Sequence, residues 1–432
     1  MNELEPPAAD RLYTRRFFHV FGAVVLFMTG LALQFHFGQY VQYLGYGVDT
    51  LGHILSISMI GTLLVRLQIG RWVDRFGFRP IWLTGTLVVA LAVGSIQFTE
   101  RLWLITILRA LSTVASSAVM ITVVVFAAQV APPNRRAESI GTMGLAGFLG
   151  MIAGPTLGDL IFDGNPNSII PYRVFFSASA ACSLLAGGVM LLARLPRPVD
   201  TPPTLPDSAA SLPGRGPSQI KVVLEHWPGA ILLVSVVFGI AFSFQSTFLE
   251  RLAEERGFKD IKLFFLIYCP TAMLLRLIFR RLPEQIGRTR TVLLGLVLMA
   301  TGQLALVGIR SQIQLLVPGL LMGAGHCFIF PSMVDLGSER FRAESRGTAA
   351  ALIFAAGDVG MLIGFAAMGE VIDAFDFDVA LTALAYCVLG CAVFFAIARR
   401  RAVFSRRRDG GFNPGGWKRR EQPSGRVRSR DR

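Results

Sequence analysis

The sequence predicts an all-α membrane protein: twelve transmembrane helices in two pseudo-symmetric six-helix halves. Three observations carry that prediction. The chain is too apolar for a water-facing fold, its apolar residues come in twelve runs of spanning length, and two sequence matches recur about half a chain apart. Of 432 residues, 53% are hydrophobic and 16% are charged, where a soluble domain carries about 25% charged residues. The runs lie near 17–38, 50–71, 80–98, 102–124, 139–162 and 172–193, then near 229–249, 262–280, 291–309, 314–336, 347–368 and 379–398. Each is long enough to cross a hydrocarbon core of roughly 30 Å as a helix. The alternating segments of about 10 residues that build a membrane barrel are absent from the sequence.

The segments between the runs set the organisation. Residues 1–16 form a short N-terminal stretch, 17–193 the first six-helix half and 228–398 the second. Between them, 194–227 is rich in Pro, Ser and Gly, a composition suited to a flexible linker. Residues 399–432 carry thirteen Lys and Arg and account for most of the net charge of +14. With both termini in the cytoplasm, the cytoplasmic loops hold more arginines, among them Arg71, Arg75, Arg79, Arg288 and Arg290, than the outer loops do. A cell-membrane, multi-pass protein is expected, in the inner membrane if the source has two. The basic tail fits anionic lipid headgroups better than nucleic acid. No small-residue cleavage site follows the first run, so that helix is expected to remain as an anchor. Cys182, Cys269, Cys327, Cys387 and Cys391 all fall inside runs and are expected as buried free thiols. No metal-ligand spacing, phosphate loop or nucleophile grouping is present, so neither enzyme nor cofactor is expected, and a sensor or membrane-embedded enzyme is the weaker alternative.

Residues 136–142 read RAESIGT and residues 342–348 read RAESRGT, 206 positions later. Leu64, Arg66, Leu67, Arg71 and Gly77 recur as Leu274, Arg276, Leu277, Arg281 and Gly287, 210 positions later. Two matches at nearly one offset indicate a parallel duplication. The segment Gly70 to Arg79, GRWVDRFGFR, resembles the signature that the major facilitator superfamily carries between helices 2 and 3, G-x-L-x-D-R-x-G-x-R, with Trp72 in place of Leu. The resemblance implies a conformational latch made by Gly70, Asp74, Arg75, Gly77 and Arg79. In it Asp74 faces the N-terminal end of helix 11 and the arginines pair with acidic groups. The plainer alternative is a basic loop that only sets topology. In helix 5, Gly141, Gly150, Gly154-Pro155 and Gly158-Asp159 resemble the antiporter motif of the same superfamily, with Asp159 where Gly is usual. Gly150, Gly154 and Gly158 share one face and permit close packing, and Pro155 removes a helical hydrogen bond. The motif implies export in exchange for protons, with a proton symporter importing a polar metabolite as the alternative.

Ionisable groups inside spans are costly and therefore informative. Arg109 matches the arginine of the family's helix 4 motif, although Ser112-Thr113 stand where Gln-Gly is usual. Asp358 lies near the middle of helix 11. These two are the candidates for energy coupling. The first helix of each half lines the cavity in this fold, which makes Gln34, His36, Gln39, Ser243 and Ser246 candidate substrate contacts, with His326 of helix 10. Hydrogen bonding between helices is the alternative for each of them. The expected partners are a small solute, protons and the bilayer, with the monomer as functional unit.

Overall fold

Apolar runs separated by charged or glycine-containing turns fold as long helices, and in the computed structural model nearly every described residue is helical. The described residues are 13–130, 136–163, 168–193, 226–258, 260–279, 282–339, 341 and 346–408. The helices of the first half are α1 (Arg15–Tyr43), α2 (Val48–Phe76), α3 (Phe78–Ile96), α4 (Leu102–Val130), α5 (Arg136–Phe162) and α6 (Ile170–Leu192). Those of the second are α7 (Ile231–Glu255), α8 (Lys262–Ile278), α9 (Arg288–Leu304), α10 (Leu316–Ser338), α11 (Arg346–Ala374) and α12 (Phe377–Arg408). Ten of the twelve are long and apolar enough to span by length and composition alone. The other two, α8 and α9, have 17 residues each. Large side chains such as Leu91, Phe98, Leu185 and Val393 are exposed on the outside of the bundle, where hydrocarbon rather than water is the solvent that favours them.

Helix packing repeats between the halves. In the first, α1 packs on α5 and α6, α2 on α4, and α3 on α4 and α6. In the second, α7 packs on α11 and α12, α8 on α10, and α9 on α10 and α12. The halves meet where α2 lies along α11 and α5 along α8. One core cluster crosses this boundary, with Phe37, Phe244, Phe265 and Phe365 among its members. Repeat-related Gly77 and Gly287 are the N-caps of α3 and α9, with φ of 78° and 91°. Only glycine adopts that conformation without a Cβ penalty, so each half turns its second helix into its third at the same residue type.

The face of the bundle on which α1 begins and α12 ends is called here the terminal face, and the other the opposite face. Described contacts between the halves concentrate at the opposite face. There Gly52 of α2 meets the Phe365 carbonyl of α11, and a Cβ at Gly369 would lie 2.9 Å from the Val48 carbonyl. Ser56 donates to the Leu362 carbonyl at 2.8 Å, and His53 lies 3.1 Å from Glu370.

Several boundaries differ from the expected ones. The segment expected as a loop at 70–79 is helical through Phe76, and the turn is confined to Gly77. At α7, the helix runs to Glu255 and draws Glu250 inside the span. The basic tail begins as a helical continuation of α12 to Arg408. Residues 194–225 of the expected linker and 409–432 of the tail lie outside the described residues. Cys387 is exposed on α12 rather than buried, because the apolar surroundings of a lipid-facing position and of the bundle interior read alike in sequence.

Candidate functional site

The first helix of each half breaks its regularity at an equivalent place. In α1, Gln34–His36 tighten into a 3-10 turn, and in α7, Phe244–Phe248 widen into a π turn. The offset of 210 that relates Leu64 to Leu274 carries Gln34 onto Phe244, the first residue of the second break. The two breaks lie against each other across the boundary between the halves. Such turns shift the helical register and re-aim side chains, and each contains a buried glutamine, Gln34 at 4% and Gln245 at 1% exposure.

Each glutamine is half satisfied. Arg109 of α4 donates through Nη1 to Gln34 Oε1 at 3.0 Å, and its guanidinium lies 4.9 Å from the Phe37 ring centroid. Ser112 and Thr113, which replace the family's Gln-Gly, both donate to the Arg109 carbonyl at 2.8 Å and so serve α4 itself. In the second half, Gln245 Nε2 donates to Tyr268 Oη at 2.9 Å, and that oxygen lies 2.5 Å from His326 Nδ1. Five rings surround the His326 imidazole at centroid distances of 5.2 to 6.2 Å: Phe148, Phe238, Phe242, Tyr268 and Phe330. Phe148 comes from the first half, so the cage spans the boundary. Gln34 Nε2, Arg109 Nε and Gln245 Oε1 remain buried without a hydrogen-bond partner among the described residues. A buried polar atom left unpaired is costly, and these three belong to the two breaks or to the arginine bonded to one of them. We expect Tyr268→Phe to remove the link between Gln245 and His326 and to cost about 1 kcal/mol of stability. A thermal melt of the purified protein in detergent checks this, and an unchanged midpoint would mean that the link holds nothing.

The remaining sequence-selected residues fall into several places. Ser243 and Ser246 do not reach across the boundary: they donate to the carbonyls of Ile240 (2.7 Å) and Ser243 (3.2 Å) on their own helix. Gln39 is half-buried, adjacent to buried Glu250, which also neighbours Arg251. His36 Nε2 lies 2.9 Å from Asp159 Oδ1, and both residues are buried. The same carboxylate accepts the N–H of Ile261 at 3.2 Å and of Lys262 at 2.7 Å, at the start of α8. Asp358 is half-buried in α11, flanked by Gly357 and Gly360, which approach Ser235 and Val236 of α7. Among the described residues the fully buried carboxylates are thus Asp159 (6% exposed) and Glu250 (3%), two residues that sequence position places at span ends. Burial follows from which helices converge, and distance along a span does not measure it. Departure of Asp159 from the usual glycine was the one signal in the sequence that pointed to this position.

A Cβ on Gly150 would overlap Met28 and Thr29, one on Gly154 would lie 2.6 Å from Leu33 N, and one on Gly158 would enter the His36 ring. These three glycines therefore form the seat of α1 on α5. Gly141 has open space and takes no part in it. Pro155 is accommodated within an uninterrupted α5. At the expected latch, the surroundings of Gly70 and the side chain of Asp74 lie outside the described residues. Arg75 rests over the Phe76 ring at 5.3 Å. Arg79 donates to the Leu191 carbonyl at the end of α6, 3.1 Å away, rather than to an acidic group. A helix C-terminus supplies unpaired carbonyls that attract a guanidinium without any carboxylate.

The sequence profile of the Major Facilitator Superfamily matches residues 18–282 and 260–424 of this chain. The chain belongs to the Major Facilitator Superfamily. This major facilitator is 22% identical over 286 residues to "Multidrug resistance protein 1" of Bacillus subtilis (strain 168), a match that covers 65% of this chain and 70% of that protein. It is 30% identical over 130 residues to "Tetracycline resistance protein, class B" of Escherichia coli, covering 30% of each. Among solved structures it is similar to a point mutant of the nucleoside transporter NupG, with a TM-score of 0.74, 12% identity, and coverage of 89% of this chain and 100% of the other. The last likeness is one of fold alone. Membrane transport of a small solute is accordingly the function of this major facilitator.

Proposed function

We propose that this transporter exports a small amphipathic solute in exchange for protons, binding it between the breaks of α1 and α7. The observation that carries the proposal is the facing pair of breaks, with unpaired Gln34 Nε2, Arg109 Nε and Gln245 Oε1 beside the aromatic cage of His326. A solute with a ring and a hydrogen-bonding group fits that combination of apolar walls and few polar atoms. Similarity to two resistance proteins supports export, as does the glycine seat in α5. The terminal face lies in the cytoplasm of a cell-membrane protein, together with residues 1–16, 194–227 and 399–432, and the monomer is the functional unit. Gly70, Asp74, Arg75, Gly77 and Arg79 form the cytoplasmic latch, which releases as the opposite face closes. The described structure, with the halves joined at the opposite face, is then the state closed to the outside. Import of a polar metabolite is the second reading, favoured by two buried glutamines at the centre of the site.

Sealed vesicles with an imposed pH gradient, loaded in turn with dyes and metabolites of each charge type, test the proposal. Export requires gradient-driven movement towards the face opposite the termini, and accumulation on the terminal side would establish the importer. Asp358 and Arg109 are the proposed coupling pair. Asp358→Asn keeps hydrogen-bonding shape and cannot titrate, so gradient-driven accumulation should fall about tenfold or more while counterflow exchange persists. Full accumulation by Asp358→Asn would make the residue structural.

A further inference from the structure

Asp159 occupies a position at which no chemistry is required for packing. Gly154 and Gly158 already seat α1, and the motif's usual residue at 159 is glycine. Instead the chain places a buried carboxylate there, at the end of α5, and directs it across the boundary between the halves. Its Oδ2 takes the Lys262 N–H at 2.7 Å, and its Oδ1 is shared between the Ile261 N–H at 3.2 Å and His36 Nε2 at 2.9 Å. The carboxylate thus caps the N-terminus of α8, a helix of the other half, where the backbone N–H groups and the helix dipole both favour an anion. His36 is held in place by Gly158 below and by the Phe162 ring, stacked at 5.8 Å and 15°.

We propose that the His36–Asp159 pair is a proton-binding site that latches the opposite face: it caps α8 and holds the halves together there, and an added proton releases the cap. The inference rests on the transport reading above. The cap must break whenever α5 and α8 separate. A proton reaching the pair from water on the opposite face can reside on either partner. On Asp159 it removes the charge and one acceptor site. On His36 it draws Oδ1 towards the imidazolium and away from Ile261. Either way, a charge-assisted bond to α8 is lost or weakened, and the proton returns to water when the cap re-forms. Polar and titratable groups also stand on the helices around the pair. Lys262 of α8 is tied by its ammonium to Asp260 at 2.6 Å, and Gln312 bonds to the same Asp260. Asp163 follows on the end of α5 and is exposed. Tyr172 of α6 touches the Phe162 ring. Arg109 of α4 is committed to Gln34, and Glu250 lies on α7 beside Arg251, which pairs with Glu254 at 2.6 Å. None of these supplies a second acceptor to the α8 N–H groups among the described residues.

The test uses the full chain in lipid nanodiscs, with its five native cysteines replaced and spin labels at exposed Arg101 and Ile313, near the opposite-face ends of α4 and α10. In the parent, the long-distance population should rise about fivefold between about pH 8 and about pH 5. In the double variant His36→Gln, Asp159→Asn, which keeps hydrogen-bonding groups but no titrating group at the pair, the distribution should not respond to pH. A parent distribution indifferent to pH, or a double variant that responds like the parent, overturns the proposal. Hydrogen exchange on the unlabelled parent needs no variant to fold: after correction for intrinsic pH dependence, the amides of Ile261 and Lys262 should exchange about tenfold faster at about pH 5 than at about pH 8. Equal protection at both values also overturns it. A pH-responsive latch in a protein that moves no solute on a pH gradient would uphold this inference while removing proton-driven export.

Discussion

Gly154→Leu is expected to abolish a stable bundle. A Cβ at residue 154 would lie 2.6 Å from Leu33 N and 2.7 Å from the Ala32 carbonyl carbon. The obstacle is backbone, which cannot rotate away as a side chain can. Overpacking by even a methylene or two costs about 1–3 kcal/mol, and here a whole isobutyl group must separate α1 from α5 along their length. A loss above about 3 kcal/mol is therefore expected. It would be seen as a collapse of the monodisperse peak in size-exclusion chromatography and of the thermal midpoint. Gly141→Leu is the matched control: nothing lies within 4 Å of its Cβ position, so it should melt with the parent. Equal behaviour of the two variants would mean that the glycine row does not seat α1.

Arg109→Ala is expected to have the largest effect on transport. It strips Gln34 Oε1 of its donor at a position only 4% exposed and removes the cation from the Phe37 ring. Leaving that acceptor buried and unpaired costs about 1–3 kcal/mol, and Gln34 should turn away from the break in α1. Transport should fall about a hundredfold or more while the protein remains folded, since removing about 2.7 kcal/mol of preorganised interaction corresponds to that factor. Arg109→Lys separates charge from shape: it keeps the cation but not the planar fork, so it should recover charge-dependent solute binding without restoring the turnover of the parent. Equilibrium binding and vesicle transport, measured side by side, check both outcomes. Full transport by Arg109→Ala would remove the α1 break from the site.

Glu250 and Asp159 show how much a span reading can miss. Seen along the chain, both sit near helix ends, while Asp358 sits in the middle. In the bundle the order of burial reverses, because α7 is lengthened past its π turn and the end of α5 is covered by α8. Ser243 and Ser246 show the converse. Their spacing along α7 fits a cavity-facing stripe, yet their hydroxyls close onto the carbonyls of their own helix, which no spacing rule forbids.

What the sequence determined by itself is whatever depends on local composition and short spacing. Spanning-length apolar runs fixed the membrane class and the twelve helices, because burial in hydrocarbon is decided residue by residue over about twenty positions. The matches at 206 and 210 positions carried the duplication, and Gly77 carried the turn into α3, because a positive φ is a property of one residue. The i, i+4, i+8 glycines gave the face that seats a neighbour. Tertiary structure alone decided which neighbour that is. It also decided that the breaks carrying Gln34 and Gln245 face each other, that His326 is caged by rings from both halves, and that His36 and Asp159 pair across 123 positions to cap a helix of the other half. Each of these depends on the distance between groups far apart in the chain. In a bilayer, where polar atoms cannot turn to water, that distance determines whether a carboxylate is a cost or a latch.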